Sequence, residues 1–171
     1  MHVTAPTSLD LPDSAATDAL GTALGRALLA DPQASVLYLR GELGAGKTTC
    51  ARSLLRAVGV QGPIRSPTYT LLDTYLAGGL VCLHVDLYRL QGRGEVEELG
   101  LRDLIGPSTL LLIEWPERGF GGLPPSDVEL DLGYAGEARF ATLAAPTGRG
   151  RAWLSELVLD TSLSPYVSNL T

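Results

Sequence analysis

The chain has 171 residues, 45% of them hydrophobic and 19% charged, with a formal net charge of −6 and a pI of about 4.8. That length suits one domain with its own buried core, and the acidic balance argues against a direct grip on a nucleic-acid backbone. No apolar run approaches the ~18 residues of a membrane span, and the N-terminal MHVTAPTSLDLPDS lacks a basic-then-apolar leader pattern, so the expected location is the cytoplasm.

In chain order, residues 9–11 read as a brief strand. Pro12-Asp13-Ser14 then opens a helix whose Ala16, Leu20, Leu24 and Leu28 form one apolar stripe, the pattern of a core-facing side. Residues 35–40 read as an apolar strand and 48–58 as a helix, with Gly59 at its C-terminal cap. Between them, Gly41-Glu42-Leu43-Gly44-Ala45-Gly46-Lys47-Thr48 matches G-x-x-x-x-G-K-[ST] at every fixed position. Glycines there let successive backbone N–H groups turn toward one anion, and the following helix N-terminus adds partial positive charge. Lys47 is the only lysine in the chain; every other basic side chain except the two histidines is arginine. A compact ammonium, rather than a planar guanidinium, therefore stands where β- and γ-phosphates would lie. The expected ligand is a nucleoside triphosphate, with the Thr48 hydroxyl placed for Mg²⁺.

Ser66-Pro67-Thr68-Tyr69 reads as a loop. Residues 70–76 and 80–85 form a hairpin signal around Gly78-Gly79, and 95–105 a short, acidic, interrupted helix. Residues 110–113 look like a buried strand, and 128–132 and 139–144 like two strands around a turn at 133–136. Residues 152–159 form a last amphipathic helix, and the polar tail beyond it is expected to fray. Strands interleaved with helices around a phosphate loop imply an α/β fold: a three-layer, P-loop NTPase-like domain with a mixed, mostly parallel sheet containing a β-hairpin. Residues 1–160 are assigned to that single domain and 161–171 to a flexible tail. Cys50 and Cys82 fall in a helix and a strand and are expected to be buried thiols.

Two acids follow apolar strands directly, Asp86 after LVCLHV and Glu114 after LLLI. Carboxylates at that address carry magnesium and position water in such folds. Asp86 is expected in the metal shell, and the longer Glu114 is the candidate for water activation. Trp115 is read either as a loop anchor or as an aromatic bordering the nucleotide. His84, two residues before Asp86 on one strand, is expected to orient that aspartate. Arg89 is a candidate partner for a phosphate or an acid. The chain lacks an N-K-x-D guanine reader, since its one asparagine is Asn169, and it lacks an L-S-G-G-Q signature. Arg93, Arg102 and Arg118 would serve a small-molecule kinase as lid cations, which keeps that activity as the alternative.

GELGAGKTT (41–49), SPTYTL (66–71), H-x-DLYRL (84–90), the EVEELGLRD run (95–103) and IEWPERG (113–119) occur together in this order. In these motifs the chain resembles the bacterial tRNA threonylcarbamoyladenosine biosynthesis ATPase family TsaE, formerly YjeE; nothing beyond Pro146 matches. The resemblance implies that Lys47 and the loop Gly41, Glu42, Leu43, Gly44, Ala45, Gly46, Thr48 and Thr49 bind ATP phosphates. Thr48 and Glu114 are implied as Mg²⁺ ligands, with Asp86 a ligand or a neighbour of one. Ser66, Thr68 and Tyr69 resemble a switch-like loop at the γ-phosphate, and Glu137 falls in an element near the nucleotide. The family's implied activity is ATP hydrolysis, weak alone and stimulated by partners, that resets a complex of the proteins TsaB and TsaD. TsaD performs the transfer to tRNAs reading A-starting codons, so tRNA would be met only through that complex.

Overall fold

A computed structural model describes residues 7–168. In order these form β1 (Thr7–Leu11), α1 (Ser14–Ala30), β2 (Ser35–Gly41), α2 (Lys47–Ala57), β3 (Leu72–Ala77), β4 (Leu80–Asp86), α3 (Arg93–Glu98), α4 (Leu101–Leu104), β5 (Thr109–Glu114), β6 (Val128–Ala135), β7 (Ala138–Ala144) and α5 (Gly148–Leu157). Short 3₁₀ turns cover Pro116–Gly119 and Thr161–Tyr166.

The seven strands make one sheet in the order β1-β7-β6-β2-β5-β4-β3. The central run β6-β2-β5-β4 is parallel, while β7 and β3 run against their neighbours, so the sheet is mixed and mostly parallel. Strands β5 and β4 read as continuous apolar runs because both faces are covered. Leu110, Leu112 and Cys82 face the layer built by α1, α2 and α5, whereas Leu111, Ile113, Leu83 and Val85 face α3 and α4. Asp13 starts α1 by accepting the Ala16 N–H at 2.9 Å, and the expected stripe of Ala16, Leu20, Leu24 and Leu28 is buried. Trp153 of α5 ties the layer together by donating its indole N–H to the Leu24 carbonyl at 2.9 Å.

Several boundaries differ from the sequence expectation. The β6–β7 pairing runs from Glu129↔Ala144 to Ala135↔Ala138, so the turn is the two residues Gly136 and Glu137, and Gly133 lies inside the strand. Helix α5 begins at Gly148 because the Thr147 hydroxyl accepts the Gly150 N–H at 3.0 Å. The interruption expected in 95–105 is Gly100, which takes the left-handed backbone (φ 61) between α3 and α4. The stretch after residue 160 is packed against the domain as far as Ser168. Leu163 is buried, Val167 bridges Leu9, and Ser168 N donates to the Ser8 carbonyl at 3.2 Å. Residues 1–6 and 169–171 lie outside the described residues. Cys50 and Cys82 are free and buried, and burial pushes their thiols up to about 12 and about 11. Among the described residues no helix is long and apolar enough to cross a membrane.

Three adjacent parallel strands, β2, β5 and β4, end side by side in Gly41, Glu114 and Asp86. That end of a parallel sheet is where open α/β folds bind ligands.

Candidate nucleotide-binding site

The loop from Gly41 to Gly46 joins β2 to α2. Gly46 is the N-cap of α2 with φ 109, a left-handed backbone that any side chain would strain. The first-turn N–H groups of α2 have no acceptor within the helix, which leaves donors and partial positive charge aimed out of its N-terminus. Lys47, 4% exposed, folds back over this loop and donates to the carbonyls of Gly41 (2.6 Å) and Glu42 (2.8 Å). Burial draws its ammonium below the ordinary lysine value, opposed by the charges of Glu114, Glu117 and Asp86.

Across the loop, the Thr48 hydroxyl donates to both carboxylate oxygens of Glu114, at 3.0 and 2.9 Å. Glu114 and Asp86 are direct partners in the β4–β5 register, and both are almost fully buried. Asp86 is held by the other wall. Its Oδ2 accepts from Thr68 (2.9 Å) and, more weakly, from Ser66 (3.4 Å), and its Oδ1 accepts the Tyr88 N–H at 2.9 Å. Trp115 closes the top. It takes a left-handed backbone (φ 59), donates its N–H to the Leu39 carbonyl, and lays its ring 4.0 Å from the Lys47 ammonium. Tyr88 tilts against it at 4.9 Å between ring centres.

A cleft of about 270 Å³ results, bringing together Leu43, Gly44, Gly46, Lys47, Thr48, Thr49, Ser66, Thr68, Asp86, Glu114 and Trp115. Every one of these was singled out from sequence. Gly41 and Glu42 meet the cleft through the carbonyls that hold Lys47, and Ala45 packs beneath it, fully buried. Tyr69 and Glu137 are outside the lining. Tyr69 is 82% exposed with the Arg89 guanidinium over its ring at 4.1 Å, so Arg89 stacks on an aromatic. Glu137 is at the exposed tip of the β6–β7 hairpin.

His84 requires a correction. Its Nε2 lies 2.8 Å from Glu114 Oε1, and Asp86 is not its partner. Glu114 lies diagonally across from His84, which is itself opposite Leu112, and its longer side chain reaches back to the imidazole. Asp86 is also already engaged by Thr68, Ser66 and Tyr88.

Sequence reading missed three residues. Tyr88 lines the cleft because Leu87 N bonds to the Glu114 carbonyl and turns the chain back over the site. Tyr134 and Arg139, from β6 and β7, donate to the loop carbonyls of Leu43 (2.9 Å) and Gly44 (3.0 Å) and brace the loop from outside. Only their position beside Gly136 in a hairpin signal hinted at this.

The family profile described as threonylcarbamoyl adenosine biosynthesis protein TsaE matches residues 11–141. A tRNA threonylcarbamoyladenosine biosynthesis protein TsaE of Haemophilus influenzae is 43% identical over 123 residues, covering 72% of this chain and 78% of that protein. The protein of the same name from Streptomyces coelicolor is 35% identical over 142 residues, covering 78% and 91%. Among solved structures, Bacillus subtilis YdiB superposes with a TM-score of 0.71 at 25% identity, covering 92% of this chain and 97% of that one. With a phosphate loop at the carboxyl ends of its parallel strands and this profile over most of its length, the chain belongs to the TsaE family of threonylcarbamoyladenosine biosynthesis proteins.

Proposed function

We propose that the chain is a magnesium-dependent ATP hydrolase that resets a TsaB–TsaD complex during threonylcarbamoyladenosine modification of tRNA. The observation that carries this reading is the Thr48 hydroxyl resting on the Glu114 carboxylate inside the cleft, directly under the Lys47 loop. A hydroxyl and a carboxylate in contact, with a second carboxylate alongside, are hard oxygen donors that suit Mg²⁺. Among the described residues no group of three His, Cys, Asp or Glu side chains is arranged around one point. The fit is therefore to a cation that takes most of its ligands from phosphate and water, as Mg²⁺ does. When bound, Mg²⁺ neutralises charge on the β- and γ-phosphate oxygens.

The chain's own residues do the rest. The loop amides and the Lys47 ammonium grip the triphosphate, and for this Lys47 exchanges the Gly41 and Glu42 carbonyls for phosphate oxygens. Thr48 and Glu114 hold the cation. Asp86 orients Ser66 and Thr68, whose hydroxyls face the γ-phosphate end of the cleft. Trp115 and Tyr88 shield the ammonium from water. Hydrolysis by such a site alone is slow, because among the described residues no arginine side chain lines the cleft to meet developing charge. Partner docking completes it. The net charge of −6 agrees with tRNA being held by the partners.

Nothing specific favours a small-molecule kinase, since Arg93 pairs with Glu97, Arg102 donates to the Leu123 carbonyl and Arg118 lies over Tyr88. The test is to incubate the purified chain with γ-labelled ATP, with and without TsaB–TsaD. Slow phosphate release that the partners accelerate is expected. Label on a metabolite, with no complex formed, would overturn the reading in favour of a kinase.

A further inference from the structure

We propose that His84 is a positioning residue for the cation site: its Nε2–H fixes the Glu114 carboxylate in the orientation that receives the divalent ion beside Thr48. The proposal rests on the reading of Glu114 as a cation ligand.

His84 is the one polar side chain inside the apolar run of β4 before Asp86, and it is fully buried. A carboxylate offers only acceptors, so the 2.8 Å contact to Glu114 Oε1 is an Nε2–H donation. The Nδ1 atom is buried and has no hydrogen-bond partner among the described residues. An apolar residue of the same volume would pack here without leaving that atom bare, so what accounts for a histidine is the bond made by its other nitrogen.

Among the described residues, only Thr48 and His84 donate side-chain hydrogen bonds to Glu114. They are not equivalent. Thr48 is itself expected to bind the cation, and its direct bond to the carboxylate is the one an ion between them would replace. The His84 bond comes from behind, from β4, and survives loading of the site. It therefore keeps the carboxylate from swinging once Thr48 has turned to the ion. Partners of ligating groups placed this way typically govern metal affinity by 10–100-fold.

The test compares the full chain with His84→Phe, His84→Asn and His84→Gln. Phe removes both nitrogens, Asn keeps polarity near Nδ1 without reaching Glu114, and Gln restores an N–H near the Nε2 position. Free Mn²⁺ is counted by electron paramagnetic resonance in the presence of a non-hydrolysable ATP analogue, nucleotide affinity is measured calorimetrically in EDTA, and circular dichroism melting confirms folding. The expected result is Mn²⁺ affinity lowered about 10–100-fold in the Phe and Asn variants and largely restored by Gln, with cation-free nucleotide affinity unchanged within about 2-fold. If either folded variant, Phe or Asn, binds Mn²⁺ like the parent, or if Gln does no better than Asn, His84 only fills space and the proposal is overturned. A parent chain that binds nucleotide but no Mn²⁺ would overturn the cation reading itself.

Discussion

The Lys47 ammonium lies 4.0 Å from the centre of the Trp115 ring while donating to the Gly41 and Glu42 carbonyls. A cation on an indole face perturbs its emission, and a ligand that draws the ammonium onto phosphate must alter that contact. Titrating ATP or ADP should therefore change tryptophan fluorescence. The second tryptophan, Trp153, is buried with its N–H on the Leu24 carbonyl, so Trp115→Phe should abolish the change while leaving background emission. Lys47→Ala should weaken nucleotide affinity by about 10–100-fold, the value of a charge-assisted bond or two. Saturable heat in a calorimeter without any fluorescence response would separate Trp115 from the nucleotide.

Thr48 and Glu114 touch each other, whereas Asp86 is occupied by Thr68, Ser66 and the Tyr88 amide. Glu114→Gln and Thr48→Ala should each lower cation-dependent turnover by on the order of 10²-fold or more. Asp86→Asn keeps an oxygen for the Tyr88 N–H and should cost less. Full turnover in Glu114→Gln together with its loss in Asp86→Asn would reverse the division of labour.

How far the sequence alone carried differs from element to element, for a physical reason in each case. The phosphate loop was legible because strand, glycines, Lys47 and helix are contiguous, and Asp86 and Glu114 were legible because each directly follows an apolar strand. The partner of His84 was not, since it depends on β4 lying beside β5 and on the register that sets Asp86 opposite Glu114. Tyr134 and Arg139 escaped notice because β6 inserts next to β2, a pairing about 90 residues apart in the chain. The docked 161–166 turn was hidden by its polar composition, in which Leu163 and Tyr166 alone pack on the core.

Gly150 offers a test of packing remote from the cleft. A Cβ at this position would lie 1.7 Å from the Asp127 carbonyl oxygen, a backbone atom that cannot step aside. Asp127 is itself fixed by bonds from Val36 N and the Thr147 hydroxyl. Gly150→Ala should destabilise by about 1–3 kcal/mol, as overpacking of a tight contact does. Gly148→Ala, whose nearest neighbour is the flexible Arg151 tip at 3.6 Å, should be neutral or slightly stabilising through helix propensity. Urea midpoints for the two variants compare them directly, and equal midpoints would mean that α5 shifts freely.

Acid sensitivity should trace partly to Glu129. Burial pushes its carboxyl up, but hydrogen bonds from Arg40 (2.6 Å) and Ser126 (2.7 Å) and the Arg40 charge outweigh that and leave it below the ordinary value. Asp160 is likewise lowered, by its bonds from Ser162 against a smaller opposing burial, with Arg26 adding to the effect. A carboxyl with a depressed folded value releases its proton more readily folded than unfolded, so unfolding takes up protons. The stabilisation is fully present above about pH 4.5 and is lost as pH falls through the folded values. The Arg40–Glu129 pair is about one-third exposed, so screening limits its worth to roughly 0.5–1 kcal/mol. Glu129→Gln should accordingly lower the urea midpoint at pH 7 and converge on the parent as pH falls through the folded value of Glu129, where the parent carboxyl loses its charge. If the two midpoint curves stay parallel over that whole interval, the ion pair contributes nothing to the acid response.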